Sequence, residues 1–251
     1  MMSEAPKANR PAPPQFDNLE DEREHRKQRL VAAFRVFSKY GYDEGVMGHI
    51  SVRDPIKTDH YWTNPLALSF NLIKTSDLVL QNHKGEIVHG HGYVHGGALL
   101  LHPPIQKLRP DINAIAHTHS IFGKTWCSLG RKLDPITTES AVFYQAHDVF
   151  DSFKHGEGEA LANAVGNNKG LLLKNHGLVT FGKTVDEAAY WFISMERSCQ
   201  AQLLAEAVGK PELIEHERAQ QVSNRFTSDM GWLNFQPYYD TIVKENPELF
   251  Q

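Results

Sequence analysis

Cysteine is scarce. Two, Cys127 and Cys199, occur in 251 residues. That is too few for a disulfide framework, and they read as the reduced thiols of a cytosolic protein. Long hydrophobic runs are missing too. No apolar stretch approaches the ~20 residues of a membrane helix. The opening "MMSEAPKANRPAPPQF" holds no apolar core of the kind a secretory leader carries. An excess of one charge is also absent. With 26 basic and 30 acidic residues the formal net charge is −4, which gives no field for nucleic acid. A membrane partner and a nucleic-acid partner are therefore not expected.

What remains is ordinary for a globular chain, with 41% hydrophobic and 22% charged residues. Residues 1–20 read as a disordered, proline-rich arm and 21–251 as a single domain, with no internal repeat. "DEREHRKQRLVAAFRVFSKYGY" predicts a helix, its stripe formed by Leu30, Ala33, Phe34, Phe37 and Tyr40, with Gly41 as the stop. "GHISVRDP", "HYWTNPLALSF" and "DLVLQNHKGEIVHG" read as strands, the last a hairpin turning at "NHKG". "GGALLLHPPIQKLRPD" has helical composition, but Pro103-Pro104 should interrupt or start a helix rather than sit inside it. "INAIAHTHS" is a strand and "SIFGKTWCSLG" a helix stopped by Gly130, while 131–155 is ambiguous. "EGEALANAVGN" is a helix, and "GLLLKNHGLVTFG" is strand, turn and strand. A long helix from Thr184 to Val208 opens on a Thr184/Glu187 capping box and ends before Gly209 and Pro211. The tail is aromatic; Trp232 and Phe235 read as packing residues, with a lid over a neighbouring subunit as the alternative. Hairpins mixed with helices predict an α/β fold with a mixed or antiparallel sheet.

Histidine is plentiful, 14 residues, and its placement matters. In "AIAHTHS" a strand sends His117 and His119 to the same face. Such a pair can share a divalent ion if a third ligand arrives. "LLLKNHGLVTFG" offers His176 where a strand stops, and three histidines give the ligand count of an open catalytic zinc site. Taken singly, His117 and His119 also read as ordinary surface or hydrogen-bonded histidines, and His176 as one that caps a turn.

"RPDINAIAHTHS", then "LLLKNHGLVTFG", then a long helix, resembles the class II aldolase/adducin family. "GHISVRDP", "NPLALSF" and "SDLVLQNHKGEIVHG" fit it in the same order, over roughly residues 25–240. The resemblance implies a three-layer α/β/α fold around a central, largely antiparallel sheet. It also implies a homotetramer with sites near subunit interfaces and a small-molecule substrate. Residues matching His117, His119 and His176 would hold Zn2+ or another divalent ion such as Mn2+, Fe2+ or Co2+. That ion would polarise a carbonyl and stabilise an enolate.

The sequence departs from the family's sugar-phosphate aldolases. Their acid/base glutamate falls on Ala98 and their phosphate-binding serines on Gly96 and Gly97. Leu66-Ala67 and His49 replace two further phosphate-binding elements. A non-phosphorylated substrate follows. Proton work then needs another group. His95, or its neighbours His89, His91 and Tyr93, could approach the metal or be solvated loop residues. Glu139 could be a base or orient a ligand imidazole, or simply begin a helix. Tyr144 could donate to an oxyanion or be core aromatic, and His102 is read as a packing or hydrogen-bonding residue without a catalytic role. Two functions result. One is a metal-dependent lyase, aldolase-like or decarboxylase-like, acting through a metal-stabilised enolate on a carbonyl or hydroxy acid. The other is a non-catalytic, adducin-like oligomerisation module.

Overall fold

A computed structural model describes residues 10–155 and 158–251. In chain order the elements begin with α1 (Leu19–Lys39), β1 (Gly48–Arg53), β2 (His60–Thr63), β3 (Val79–Asn82) and β4 (Ile87–His89). Next come α2 (Gly96–Leu108), β5 (Ala114–Thr118), α3 (Ile121–Cys127), α4 (Thr138–Ala141) and β6 (His147–Phe150). The chain continues through α5 (Ser152–His155), α6 (Glu159–Val165), β7 (Gly170–Leu173) and β8 (Gly177–Gly182). It closes with α7 (Val185–Val208), α8 (His216–Arg225) and α9 (Ser228–Glu245).

The eight strands form one sheet in the order β4-β3-β2-β1-β5-β8-β7-β6. Every neighbouring pair is antiparallel except β6 and β7. Alternation along each strand then builds two cores. Ile50, Val52, Ala114, Ala116, Leu172 and Leu178 face one side, against α1, α7 and α9. Ile115, Leu171, Leu173, Val179 and Phe181 face the other, against α2 and α6. This is the expected α/β/α sandwich. Each large apolar side chain fully buried in it stabilises the fold by roughly 1.5–3 kcal/mol.

The same parity decides where the chemistry goes. In β1, Ile50 and Val52 point to the α1 side, so His49 and Ser51 point to the α2 side. In β5, Ile115 points to the α2 side, and His117 follows it two residues on.

Several sequence expectations are corrected. "HYWTNPLALSF" is strand only as far as Thr63. Pro65 removes a ladder donor, and Ala67 takes a left-handed φ of 67°. Pro103 and Pro104 lie inside α2 rather than breaking it. Leu101, His102, Ile105 and Gln106 are buried around them, and that packing outweighs the lost backbone bonds. In the ambiguous stretch, His147–Phe150 forms the sheet's parallel edge strand. Thr184 does cap α7, accepting the Glu187 N–H at 3.1 Å. The Glu187 carboxylate does not return to Thr184; it accepts from Lys183 N–H, Trp191 Nε1–H and the Ser228 hydroxyl.

Phe235 packs α9 into the α1/α7 core of its own chain, and Trp232 of the same helix is buried. Residues 1–9 of the expected arm, and Glu157 at the start of the "EGEALANAVGN" helix, lie outside the described residues. Phe16, in the described part of the arm, packs on His25 of α1 with ring centroids 5.0 Å apart.

Candidate metal centre

Strand β5 delivers His117 near its end and His119 just beyond it. Strands β7 and β8 form a hairpin in which Leu173 pairs with Gly177, so His176 occupies its tip. Because β8 also pairs with β5, with Thr118 opposite Leu178, that tip arrives beside His119. The tip is tight: Asn175 takes a φ of 56°. A Cβ on Gly177 would stand 2.6 Å from the Thr118 carbonyl oxygen, so only glycine lets the hairpin come this close.

The result is a cluster. One ligand atom from each of His117, His119 and His176 lies within 4.8 Å of the others. The ring centroids are 5.2 Å, 4.9 Å and 4.7 Å apart. His117 Nδ1–H donates to the Leu178 carbonyl at 2.8 Å. That bond sets its tautomer and leaves the Nε2 lone pair for a metal. Burial, together with neighbouring imidazoles, holds His117 well below the ordinary histidine range and lowers His119 to about 4. Neutral imidazoles are the form that binds a divalent ion, so the donor set fits one.

Glu196 of α7 fixes the loop that follows. Its buried carboxylate accepts from the Ser120 hydroxyl at 2.6 Å and from the N–H groups of Phe122 and Gly123 at 2.9 Å and 2.6 Å. It thereby caps α3 and ties the residue after His119 to α7. Burial raises its pKa, against those three bonds. Cys127 is no ligand candidate: its thiol bonds the Gly177 carbonyl at 3.3 Å, and burial pushes it up to about 12.

The expected acid/base residues are placed unequally. His95 caps α2, its Nδ1 accepting the Gly97 N–H at 3.1 Å. Its ring is 5.7 Å from that of His49, which brings it to the border of the cluster. Glu139 is exposed on α4. Tyr144 follows α4, and its hydroxyl is paired at 2.9 Å with His216 Nδ1 of α8. No hydrogen bond or ring contact among the described residues joins either to the three histidines. His89 lies against Trp62 at 5.4 Å, and Tyr93 is exposed.

The sequence reading missed two residues. The sequence offers His49 only as a replaced phosphate-binding residue and His102 as a packing or hydrogen-bonding residue, without joining either to the metal cluster. His49 pairs with His117 across the β1–β5 ladder, and the two rings are 5.1 Å apart. His49 Nδ1 lies 2.6 Å from His102 Nε2, and His102 Nδ1 lies 2.7 Å from the Ser51 hydroxyl. Desolvation takes His49 far below its ordinary range and His102 down to about 3. The signal was there, since His49 and Ser51 share a strand face, but using it requires the register of β1 on β5.

Comparison with known proteins fits this picture. A family model described as "Class II Aldolase and Adducin N-terminal domain" matches residues 28–203. "Decarboxylase NovR" of Streptomyces niveus is 38% identical, over 94% of this chain and 91% of its own. The "4-hydroxy-3-prenylphenylpyruvate oxygenase/4-hydroxy-3-prenylbenzoate synthase" of Streptomyces roseochromogenus subsp. oscitans is 37% identical, over 94% of this chain and 88% of its own. The solved "L-fuculose 1-phosphate aldolase" of Glaciozyma antarctica PI12 superposes with a TM-score of 0.91 at 37% identity, covering 95% of this chain and 97% of that one. Relatives carrying decarboxylase and aldolase names support a lyase-like function. No helix among the described residues is long and apolar enough to cross a membrane. By sequence match and by fold, the chain belongs to the class II aldolase and adducin family.

Proposed function

We propose that the protein is a divalent-metal-dependent lyase that decarboxylates or cleaves a non-phosphorylated oxo or hydroxy acid. His117, His119 and His176 would hold the ion, Zn2+ or another divalent metal. The observation that carries this is the convergence of three imidazole donors within 4.8 Å, one of them locked by a backbone acceptor. When bound, the ion would supply Lewis-acid polarisation of a substrate carbonyl.

The chain's own residues do the rest. The Leu178 carbonyl keeps His117 in register for its ligand role. In its neutral form His95 has Nδ1 occupied by the Gly97 N–H, so its proton sits on Nε2 and can be donated at the rim of the site. Ala98 is buried and has no group to carry a proton. Decarboxylation asks least of such a site, because carbon dioxide leaves without proton abstraction. Gly96 and Gly97 offer no hydroxyls for a phosphate, which favours a carboxylate or neutral substrate over the sugar phosphate in the name of the solved relative. Glu139 and Tyr144 enter this reading only through a neighbouring subunit in a homo-oligomer. A tetramer in solution is the expected size, and a stable monomer would remove those two from the site.

The test is a panel of β-keto acids, 2-oxo acids and L-fuculose 1-phosphate, offered to metal-loaded protein without oxygen. Release of carbon dioxide or an aldehyde from a non-phosphorylated acid supports the proposal. Turnover of the sugar phosphate alone contradicts it. A second reading is favoured by one observation, that one relative's name includes an oxygenase; imidazole ligands suit Fe2+ as well as Zn2+. Turnover of a 2-oxo acid that requires both Fe2+ and oxygen would select it.

A further inference from the structure

Ser51 is fully buried, and its hydroxyl has one hydrogen-bond partner among the described residues, His102 Nδ1 at 2.7 Å. A buried hydroxyl proton needs an acceptor. If His102 donated to Ser51, that proton would have none. Ser51 therefore donates, and His102 Nδ1 accepts. The neutral His102 ring then carries its proton on Nε2, which faces His49 Nδ1 at 2.6 Å. His49 Nδ1 accepts in turn, so the His49 proton sits on Nε2. Three residues thus fix one tautomer, with a donor at the end of the array.

That donor faces the site. A Cβ on Gly97 would stand 3.4 Å from His49 Nε2, so the nitrogen points at the first turn of α2. Beside Gly96 nothing lies within 4 Å of where a Cβ would stand, while at Gly97 the His95 and His49 rings border that space. The His49 ring lies beside His117 and His95, at 5.1 Å and 5.7 Å. Yet His49 is not one of the three residues whose ligand atoms cluster within 4.8 Å.

We propose that His49 is a substrate-positioning residue, oriented by His102 and Ser51, whose Nε2–H donates to the carboxylate of an oxo acid and does not ligate the metal. The proposal rests on the metal reading given under the proposed function. The array calls for an acceptor, and a carboxylate is the acceptor that the oxo acid of the proposed function brings. The array presents an N–H rather than a lone pair.

The test is a titration of pyruvate into Co2+-loaded protein, read by the visible Co2+ spectrum, alongside Co2+ affinity and Tm. His49→Asn keeps an acceptor at the His102 end but has no atom at Nε2. His49→Gln restores an amide near Nε2. Ser51→Ala removes the group that sets the tautomer. His49→Asn should bind Co2+ like the parent and pyruvate about 10- to 100-fold more weakly, the cost of one hydrogen bond to a charged group. His49→Gln should recover most of that loss, and Ser51→Ala should weaken pyruvate with parental Co2+ affinity and a Tm lowered by the lost buried bond. Parental pyruvate binding by His49→Asn overturns the proposal and leaves His49 a packing residue. Loss of Co2+ in His49→Asn also overturns it, making His49 a ligand. If the parent protein takes up no Co2+, the metal reading itself falls and this proposal with it; that result needs no variant and so stands apart from the others.

Discussion

Two buried histidines on the same sheet illustrate opposite uses of one side chain. His147, on the edge strand β6, spends both ring nitrogens inside the fold. Its Nδ1–H donates to the Phe143 carbonyl at 2.6 Å, and its Nε2 accepts the Leu133 N–H at 2.9 Å. His117, on the central strand β5, has one nitrogen on the Leu178 carbonyl and faces two more imidazoles. Burial lowers the pKa of both, so burial and pKa do not tell them apart. The hydrogen-bond inventory does. His147 has no ring nitrogen left to offer a ligand, whereas His117 keeps Nε2 beside two further imidazoles, the arrangement that the metal proposal rests on.

The sharpest way to break this contrast is to delete each ring. His117→Ala should lower metal affinity by more than the roughly 10- to 100-fold that loss of an outer partner costs, with the fold kept. His147→Gln should leave metal binding unchanged and lower Tm. Calorimetric metal titration and thermal melts of both variants check this; equal metal binding in the two would end the contrast.

Acid should come next in size. The folded pKa of His102, about 3, lies below its ordinary 6.5, and that of His147 is lowered too. The unfolded chain therefore binds more protons than the folded one below pH 6.5. Stability is full above that value and is lost progressively as pH falls toward 3. A Tm that declines from pH 7 to 5, less steeply in His147→Gln, is the expected result.

Glu196→Gln should destabilise by about 1–3 kcal/mol, because the amide's own donor must face the backbone N–H groups that the carboxylate now accepts from. Metal uptake should survive, weakened, since the loop after His119 loosens. Thr184→Ala, at the remote end of α7, should cost about 1 kcal/mol through its lost cap and leave the metal untouched. Denaturant melts order the two; a larger loss from Thr184→Ala would show that Glu196 is not the main tie between α3 and α7.

Much of this was legible in the sequence. Two-residue alternation in "AIAHTHS" placed His117 and His119 on one face, and "NHG" after an apolar run placed His176 at a strand end. Local rules reach that far, and the family resemblance joined the pieces. They do not reach His49, whose place beside His117 depends on the β1–β5 register set by the whole sheet. Nor do they reach Pro103-Pro104, where burial of one helix face overrides backbone preference. "HDVF" was too short to announce β6. The direction of Glu187 is likewise decided by Trp191, one turn on in α7, and by Ser228 from the distant α9, neither of which a capping pattern reads.

The central claim is that the three convergent histidines hold a metal. It is tested most directly by elemental mass spectrometry of tag-free protein, purified without added metal and dialysed. The account predicts near one divalent ion per chain, absent from both His117→Ala and His176→Ala. No ion in the parent protein, and none taken up on addition, would contradict it.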